Sequence, residues 1–283
     1  MLNLNLLGFI GNKIPLAEAV DAVVDFLKVN FRPVFRQISS ILDFGLENLE
    51  DFLEFIPPLI LILILAALSF YFVGKRSGLF TLIGLLLINN LELWSATMTT
   101  LSMVLTATIV SIIFGVPLGI LAAKSKIANK IIMPILDFMQ TMPAFVYLIP
   151  AVSFFGLGKV PGVIATVIFS IPPAIRFTTL GIKQVPTELI EAADSFGSTG
   201  TQKLVKVQIP LAKETIMAGI NQTIMLSLSM VVIAAMIAAG GLGREVWNGI
   251  QRLQVGTAFE AGLAVVILAM ILDKLTQNIA KNK

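Results

Sequence analysis

Apolar residues run through this chain in blocks too long for a soluble fold. Residues Leu59–Leu68 are apolar without interruption, and a helix needs about 20 such residues at 1.5 Å each to cross roughly 30 Å of hydrocarbon. By that rule the pattern predicts seven transmembrane helices. They run over about Pro57–Val73, Leu79–Leu91 (as far as Trp94 if it is to span), Met98–Ala122, Ile131–Phe155, Val160–Leu180, Thr215–Ala239 and Thr257–Leu272. The expected fold is an all-α, polytopic membrane protein.

Ahead of the first span the pattern turns amphipathic. Ala17, Val20, Val23, Val24, Leu27 and Phe31 recur at helical spacing around Asp21, Asp25 and Lys28. A second patch sets Leu46, Leu49, Phe52, Leu53 and Phe55 against Glu47, Glu50, Asp51 and Glu54. Residues 1–56 are therefore expected to form amphipathic helices in the outer interface or packed on the spans. They would serve as a structural collar that fixes tilt, or as a docking surface for an external partner. With Glu18, Asp21 and Asp25 and no long apolar run, the first 30 residues do not read as a secretory signal peptide.

Composition sharpens the class. Hydrophobic residues make up 57% of the 283 and charged residues only 13%, with a mean hydropathy of +0.92. One water-soluble core cannot hide that excess. There is no Cys and no His, which removes the usual zinc sites and the thiol- or imidazole-based nucleophile systems. No Walker phosphate loop occurs, so the chain is not expected to bind ATP, to be an enzyme, or to hold a metal or a catalytic residue. The Gly240-Gly241-Leu242-Gly243 run follows an apolar helix and lacks the Lys of a phosphate loop; it is expected to let the chain turn tightly.

Basic residues set the expected orientation. Lys75 and Arg76; Lys124, Lys126 and Lys130; Arg176, Lys183, Lys203, Lys206 and Lys213; and Lys274, Lys281 and Lys283 fall on one side. The other side holds Lys159, Arg244 and Arg252. Positive-inside bias puts the richer side in the cytoplasm, hence the C-terminus inside and the N-terminus outside. Pro117, Pro134, Pro143, Pro150, Pro172 and Pro173 sit in or at the edges of spans and are expected to kink helices, as at a pathway. Asp137 and Arg176 fall near the inner ends of their spans, where ionisable side chains need partners. They either pair near a cytoplasmic gate or reach the lipid interface separately.

The loop between the fifth and sixth spans, residues 186–210, carries the most information. Pro186 suits a first helical turn, Gly197 can adopt the positive φ that stops that helix, and Thr199 with Gln202 forms a capping-box start for a second. Pro210 is expected to end it. Leu189, Ile190, Ala193 and Phe196 form one face of the first helix, opposite Glu188, Glu191 and Asp194. Such a hairpin suits either a membrane surface or a cytoplasmic partner.

Glu191-Ala192-Ala193, then Gly197, then Val207-Gln208-Ile209-Pro210 closely resembles the signature loop of ABC importer permeases, E-A-A, three residues, G, nine residues, I-x-L-P. Val207 and Ile209 depart mildly from it. Residues 137–147, 181–186, 218–225 and 226–236 further resemble the glycine betaine/proline-type permeases, the membrane subunits of bacterial osmoprotectant importers, over about residue 57 onward. That resemblance implies a type I importer: a permease homodimer, two ATPase subunits holding ATP and magnesium, and a bacterial plasma membrane. With no substrate-binding domain after the last span up to Lys283, it implies a separate extracytoplasmic binding protein. Nucleic acid has no part in it.

On that resemblance Glu188, Glu191, Ala192, Ala193, Gly197, Val207, Ile209 and Pro210 would dock on the ATPase, with Ala192 and Ala193 keeping the docking helix slim. Asp137 and Arg176 would form a gate pair, and Met139, Met142, Pro143 and Tyr147 would border the pathway. The implied divisions are 1–56, the first two spans 57–95, a permease core 96–276 and a basic tail 277–283. Choline, carnitine or proline on the same machinery, or a stand-alone channel or secondary transporter, are the alternatives. The sequence itself names no solute site.

Overall fold

The computed structural model describes residues 15–281, and its secondary structure is helical throughout. Lys283 of the expected basic tail lies outside the described residues. Backbone donors and acceptors in hydrocarbon must be satisfied within their own segment, which a helix does and an open strand does not.

Helices α1 (Leu16–Asn30) and α2 (Arg32–Phe55) form the N-terminal region, α3 (Pro58–Phe72) and α4 (Lys75–Asn90) a short hairpin. Next come α5 (Trp94–Lys124), α6 (Lys126–Thr141), a 3-10 turn at Ala144–Tyr147 leading into α7 (Leu148–Phe155), and α8 (Lys159–Lys183). After α9 (Thr187–Ser195) and α10 (Gly200–Lys203), a π turn at Leu204–Gln208 leads into α11 (Ile209–Ala234); α12 (Gly241–Gln251) and α13 (Val255–Lys281) close the chain.

Among the described residues four helical stretches are long and apolar enough to cross a membrane: Trp94–Lys124, Lys159–Lys183, Gly200–Ile237 and Val255–Asn278. Counting the bent pairs α2–α3 and α6–α7 as single spans gives six, against the seven expected. The difference has local causes. At 15 and 16 residues, α3 and α4 reach only about 22–24 Å. The expected fourth span, Ile131–Phe155, bends by 110° at Met142–Pro143. A residue before proline is pushed out of the α region, and Met142 sits at φ −74°, ψ 136°. The same rule places Ile56 at ψ 124° before Pro57, where α2 and α3 meet at 98°. By contrast Pro117, Pro134, Pro172 and Pro173 lie inside continuous helices.

The centre of the bundle is α5, α8 and α11. Gly119 of α5 lies so close to α8 that a Cβ there would sit 2.6 Å from Thr178 Cβ and 2.8 Å from the Ile175 carbonyl; one at Gly115 would sit 2.7 Å from Ala174 Cβ. One at Gly219 of α11 would sit 2.6 Å from Phe177 Cβ. Buried hydroxyls cross the same seams: Ser111 and Ser170 are 3.2 Å apart, and Thr179 donates to the Gly119 carbonyl at 3.0 Å. Small residues with interhelical hydrogen bonds are how helices associate where lipid removes the hydrophobic drive. Outside this core Ser69, Ser77 and Thr81 share buried hydroxyl bonds between α3 and α4. Asn221 of α11 donates to Asp273 of α13 at 2.9 Å, and α13 continues helically through the expected tail to Lys281.

The N-terminal region is strapped to one end of the core. Glu50 of α2 is largely buried; it accepts from Thr99 of α5 at 2.7 Å and pairs with Lys159 of α8 at 2.5 Å. Ser95 donates to Glu54 at 2.6 Å, and Phe35 stacks on Phe154 at 4.7 Å. At Gly240 (φ +89°) and Gly241 (φ +66°) the chain turns from α11 into α12 through a conformation that side chains resist.

Two changes probe these joints. Gly119→Val should lower the stability of the purified protein by about 1–3 kcal/mol through overpacking; an unchanged thermal midpoint would mean that α5 and α8 do not approach closely. Glu50→Ala removes the acceptor of Lys159 and Thr99 and should cost about 1–3 kcal/mol. Protease digestion should then release the α1–α2 region first, and wild-type resistance would count against the strap.

Candidate functional site

The loop 186–210 folds as a hairpin beyond the ends of α8 and α11. Its first arm, α9, begins after Pro186 (φ −53°) and stops at Gly197 (φ +75°). There Gly197 N–H donates to the Asp194 carbonyl at 2.9 Å and Ser198 N–H to the Ala193 carbonyl at 3.0 Å, so two carbonyls at the helix end are satisfied. The second arm opens with the reciprocal bonds of a capping box: Thr199 N–H to Gln202 at 2.8 Å and Gln202 N–H to Thr199 at 3.3 Å. Lys203 closes both carboxylate oxygens of Asp194 at 2.5 and 2.7 Å, pinning arm to arm.

Pro210 does not end the second arm, contrary to the sequence expectation. The helix widens instead into the π turn Leu204–Gln208, Ile209 N–H bonding back five residues to the Leu204 carbonyl, and Pro210 falls in the first turn of α11. A proline lacks the donor that a tight helix would need at that point, and the wider turn carries the chain past it. Gly200–Ile237 is consequently one helical stretch of 38 residues.

Within the hairpin Ala193 is buried, while Glu188, Glu191, Ala192 and Gly197 are exposed. Val207 and Ile209 are half-buried and Pro210 exposed. The expected apolar face of α9 is only partly covered: Ile190 is half-buried, but Leu189 is 43% exposed and Phe196, at the tip, 89%. Sequence periodicity marks Phe196 only as a member of that face, not as a contact residue. The signal available for the stronger role is its place beside Gly197, at the turn where an apolar side chain has least cover. The Glu191 carboxylate has no partner among the described residues, and the backbone carbonyl of Glu191 accepts from Ser195.

A second polar locus joins α6 to α8. Arg176 of α8 donates to Asp137 of α6 at 2.5 Å, with the guanidinium side chain 34% exposed. The Arg176 Nε is buried without a hydrogen-bond partner. Beside the pair a cavity of about 520 Å³ is lined by Gln140, Phe169, Arg176, Phe177, Gln222 and Leu226, among others.

The four residues expected along a pathway separate. Tyr147 is buried, its hydroxyl donates to the Met139 carbonyl, and its ring meets Phe169 edge-on with centroids 6.0 Å apart. The Met139 carbonyl belongs to the last turn of α6, where acceptors lack intrahelical partners. Tyr147 thus latches the bend across Met142–Pro143. Met139 and Met142 are half-buried and Pro143 is exposed at the break.

Comparison with known proteins fits this architecture. Residues 115–282 match the family described as binding-protein-dependent transport system inner membrane component. The chain is 52% identical over 271 residues to the glycine betaine transport system permease protein OpuAB of Bacillus subtilis, covering 96% of each. It is 54% identical to the glycine betaine/carnitine transport permease protein GbuB of Listeria monocytogenes, covering 93% of this chain and 95% of that one. With the glycine betaine/proline betaine transport system permease protein ProW of Escherichia coli identity is 50%, over 95% of this chain and 76% of the relative. Among solved structures, a chain of the inward-facing MetNI methionine ABC transporter superposes with a TM-score of 0.58 at 21% identity, covering 65% of this chain and 92% of that one, a likeness of fold. With the family pattern spanning its core and half of its residues shared with such permeases, the chain belongs to the binding-protein-dependent transport system inner membrane components.

Proposed function

We propose that this protein forms, as a homodimer, the membrane pathway of an ATP-driven importer for glycine betaine or related quaternary-ammonium osmolytes. The observation that carries the docking role is the hairpin 186–210. It is braced within itself by the Gly197 turn, the capping box and the Asp194–Lys203 pair, yet it leaves Leu189, Glu191 and Phe196 uncovered. A rigid knob with an apolar tip suits a groove on another protein. Two ATPase subunits are that partner in our reading; they hold ATP and magnesium, and this chain binds neither. Glu188 and Glu191 supply charge at the contact, Phe196 fills the groove, and Ala192 and Ala193 keep the helix narrow. Val207, Ile209 and Pro210 pass the movement into α11.

The solute assignment is supported by the high identity to permeases named for glycine betaine. An extracytoplasmic binding protein delivers the solute. The distribution of Lys and Arg supports an outside N-terminus and a cytoplasmic C-terminus in a bacterial cell membrane. The Asp137–Arg176 pair would close the pathway toward the cytoplasm.

Pull-down from detergent with the ATPase subunit from the same source tests the hairpin. Wild type should retain the ATPase, and Glu191→Lys, Gly197→Asp and Phe196→Asp should each weaken the complex about tenfold or more, the range of a truncated interface anchor. No wild-type complex, together with solute flux into liposomes without ATP, would sink the importer reading. For the gate, the single swaps Asp137→Arg and Arg176→Asp should each abolish uptake and their combination should restore part of it. A double swap as inactive as its parents would remove the pair from the mechanism.

A further inference from the structure

The cleft beside Asp137 and Arg176 has more chemistry than a gate needs. Arg176 stands seven residues before Lys183, the end of α8, about 10 Å along the helix axis at 1.5 Å per residue. Gln222 lies near the middle of the stretch Gly200–Ile237. Gln140 and Gln222 are exposed and Arg176 is half-buried. A guanidinium, a carboxylate and two primary amides within candidate spans do not face acyl chains; they border water or another polar surface. Between them stand two phenyl rings, Phe169 and Phe177, on the same face of α8 as Arg176. Phe177 is held there by α11, because Gly219 lets the helices approach until a Cβ would be 2.6 Å from Phe177 Cβ.

We propose that this cleft is a transient binding site for a zwitterionic quaternary-ammonium solute, which opens the Asp137–Arg176 pair by replacing each partner with one of its own charges. The solute carboxylate accepts from the Arg176 guanidinium, whose Nε–H has no acceptor in the closed pair. The quaternary ammonium has no N–H to donate, and it takes the faces of Phe169 and Phe177 together with the freed Asp137 carboxylate. Gln140 and Gln222 donate to the carboxylate from the flanking helices. The cavity, about 520 Å³, lies within the usual range for small-molecule sites.

The exchange conserves charge balance, and that gives it selectivity. Asp137 is 65% and Arg176 34% exposed, so a solute can reach both; one that pairs with Asp137 alone leaves the guanidinium without its charge-assisted acceptor. A zwitterion compensates both groups. A simple cation such as choline, with a hydroxyl in place of the carboxylate, would satisfy Asp137 and the rings but leave Arg176 unpaired beside a second positive charge. The permease itself would thus check solutes for a carboxylate, a step after and separate from the binding protein. This inference rests on the importer reading above and adds to it the class of solute that the membrane subunit admits.

The test uses the purified permease with its ATPase subunits, without binding protein, in equilibrium dialysis against radiolabelled glycine betaine. Unlabelled glycine betaine should displace the label at least about tenfold better than choline, the factor that about 1.4 kcal/mol of unpaired charge produces. Phe177→Ala and Gln222→Leu, each confirmed to elute with the ATPase as wild type does, should reduce retained label about fivefold or more. Equal displacement by choline, unchanged retention in both variants, or no saturable binding to wild type would each overturn the assignment. The choline comparison needs no variant, so misfolding cannot mask it. Stimulation of ATP hydrolysis by loaded binding protein is measured on the same wild-type complex. Stimulation without cleft binding refutes the cleft alone, whereas its absence refutes the importer reading on which the cleft depends.

Discussion

The close approach of α5, α8 and α11 is the constraint from which the rest of this fold follows. Lipid tails are as apolar as leucine, so helices in a bilayer gain nothing by hiding leucine from the solvent around them. What remains is contact at backbone range and hydrogen bonding across the seam. Gly115 and Gly119 let α5 settle against α8, and Gly219 lets α11 settle against Phe177 of the same helix. Ser111, Ser170 and Thr179 then fall within reach across the α5–α8 contact. Because α8 is gripped from both sides, the orientation of Arg176 and Phe177 is set by packing at Ile175, Phe177 and Thr178. The polar cleft is positioned by the small residues behind it.

Two proline-induced breaks determine how the other helices attach to this core. Ile56 and Met142 are extended because a proline follows each, and the chain leaves its helix axis by 98° and 110°. At the second break Tyr147 supplies the acceptor-starved end of α6 with a donor. At the first, α2 is turned across the ends of α5 and α8, where Glu50 meets Lys159 and Thr99. The acidic residues that looked from sequence like one face of an amphipathic helix are thus divided. Glu50 and Glu54 are structural acceptors, and the collar reading accounts for them without an outside partner.

The long central spans were legible because a soluble fold rarely sustains apolar blocks of that length, and the predicted limits of the third and fifth helices fall within a few residues of α5 and α8. The capping box at Thr199 and the turn at Gly197 were legible too, since each depends on residue types at fixed local spacing. What escaped were effects of context. Six prolines in or beside spans look alike in sequence, yet only Met142–Pro143 breaks its helix sharply. Pro117, Pro134, Pro172 and Pro173 are carried inside continuous helices. Pro210 reads as a stop, but a π turn that no periodicity announces takes up its missing donor. Helix α12, at 11 residues with Arg244 and Glu245 in it, carries too little apolar signal to stand out. In α9 the periodicity showed that Leu189, Ile190, Ala193 and Phe196 share a face but not what covers it; within this chain Ala193 is buried, Ile190 half-buried and the other two exposed.

The unbroken course of Gly200–Ile237 ties the hairpin to the cleft. Had Pro210 ended the second arm, a flexible joint would separate the exposed tip at Phe196 from the membrane helices, and movement of a bound partner would dissipate there. The π turn instead keeps the arm in line with α11, and its loosened backbone, of the kind often found at functional sites, is the place where the line can flex without breaking. Asp194 and Lys203 fasten α9 to that same arm. In the proposed coupling a displacement at the tip would reach Gly219, which touches Phe177, and Gln222, which borders the cavity. Coupling of this kind needs contacts that differ between two states. In this proposal the contact that differs is the Asp137–Arg176 pair, which ties α6 to α8 beside the cavity. Nucleotide-driven movement at the hairpin and solute exchange in the cleft would then bias the same rearrangement from opposite ends of one helix.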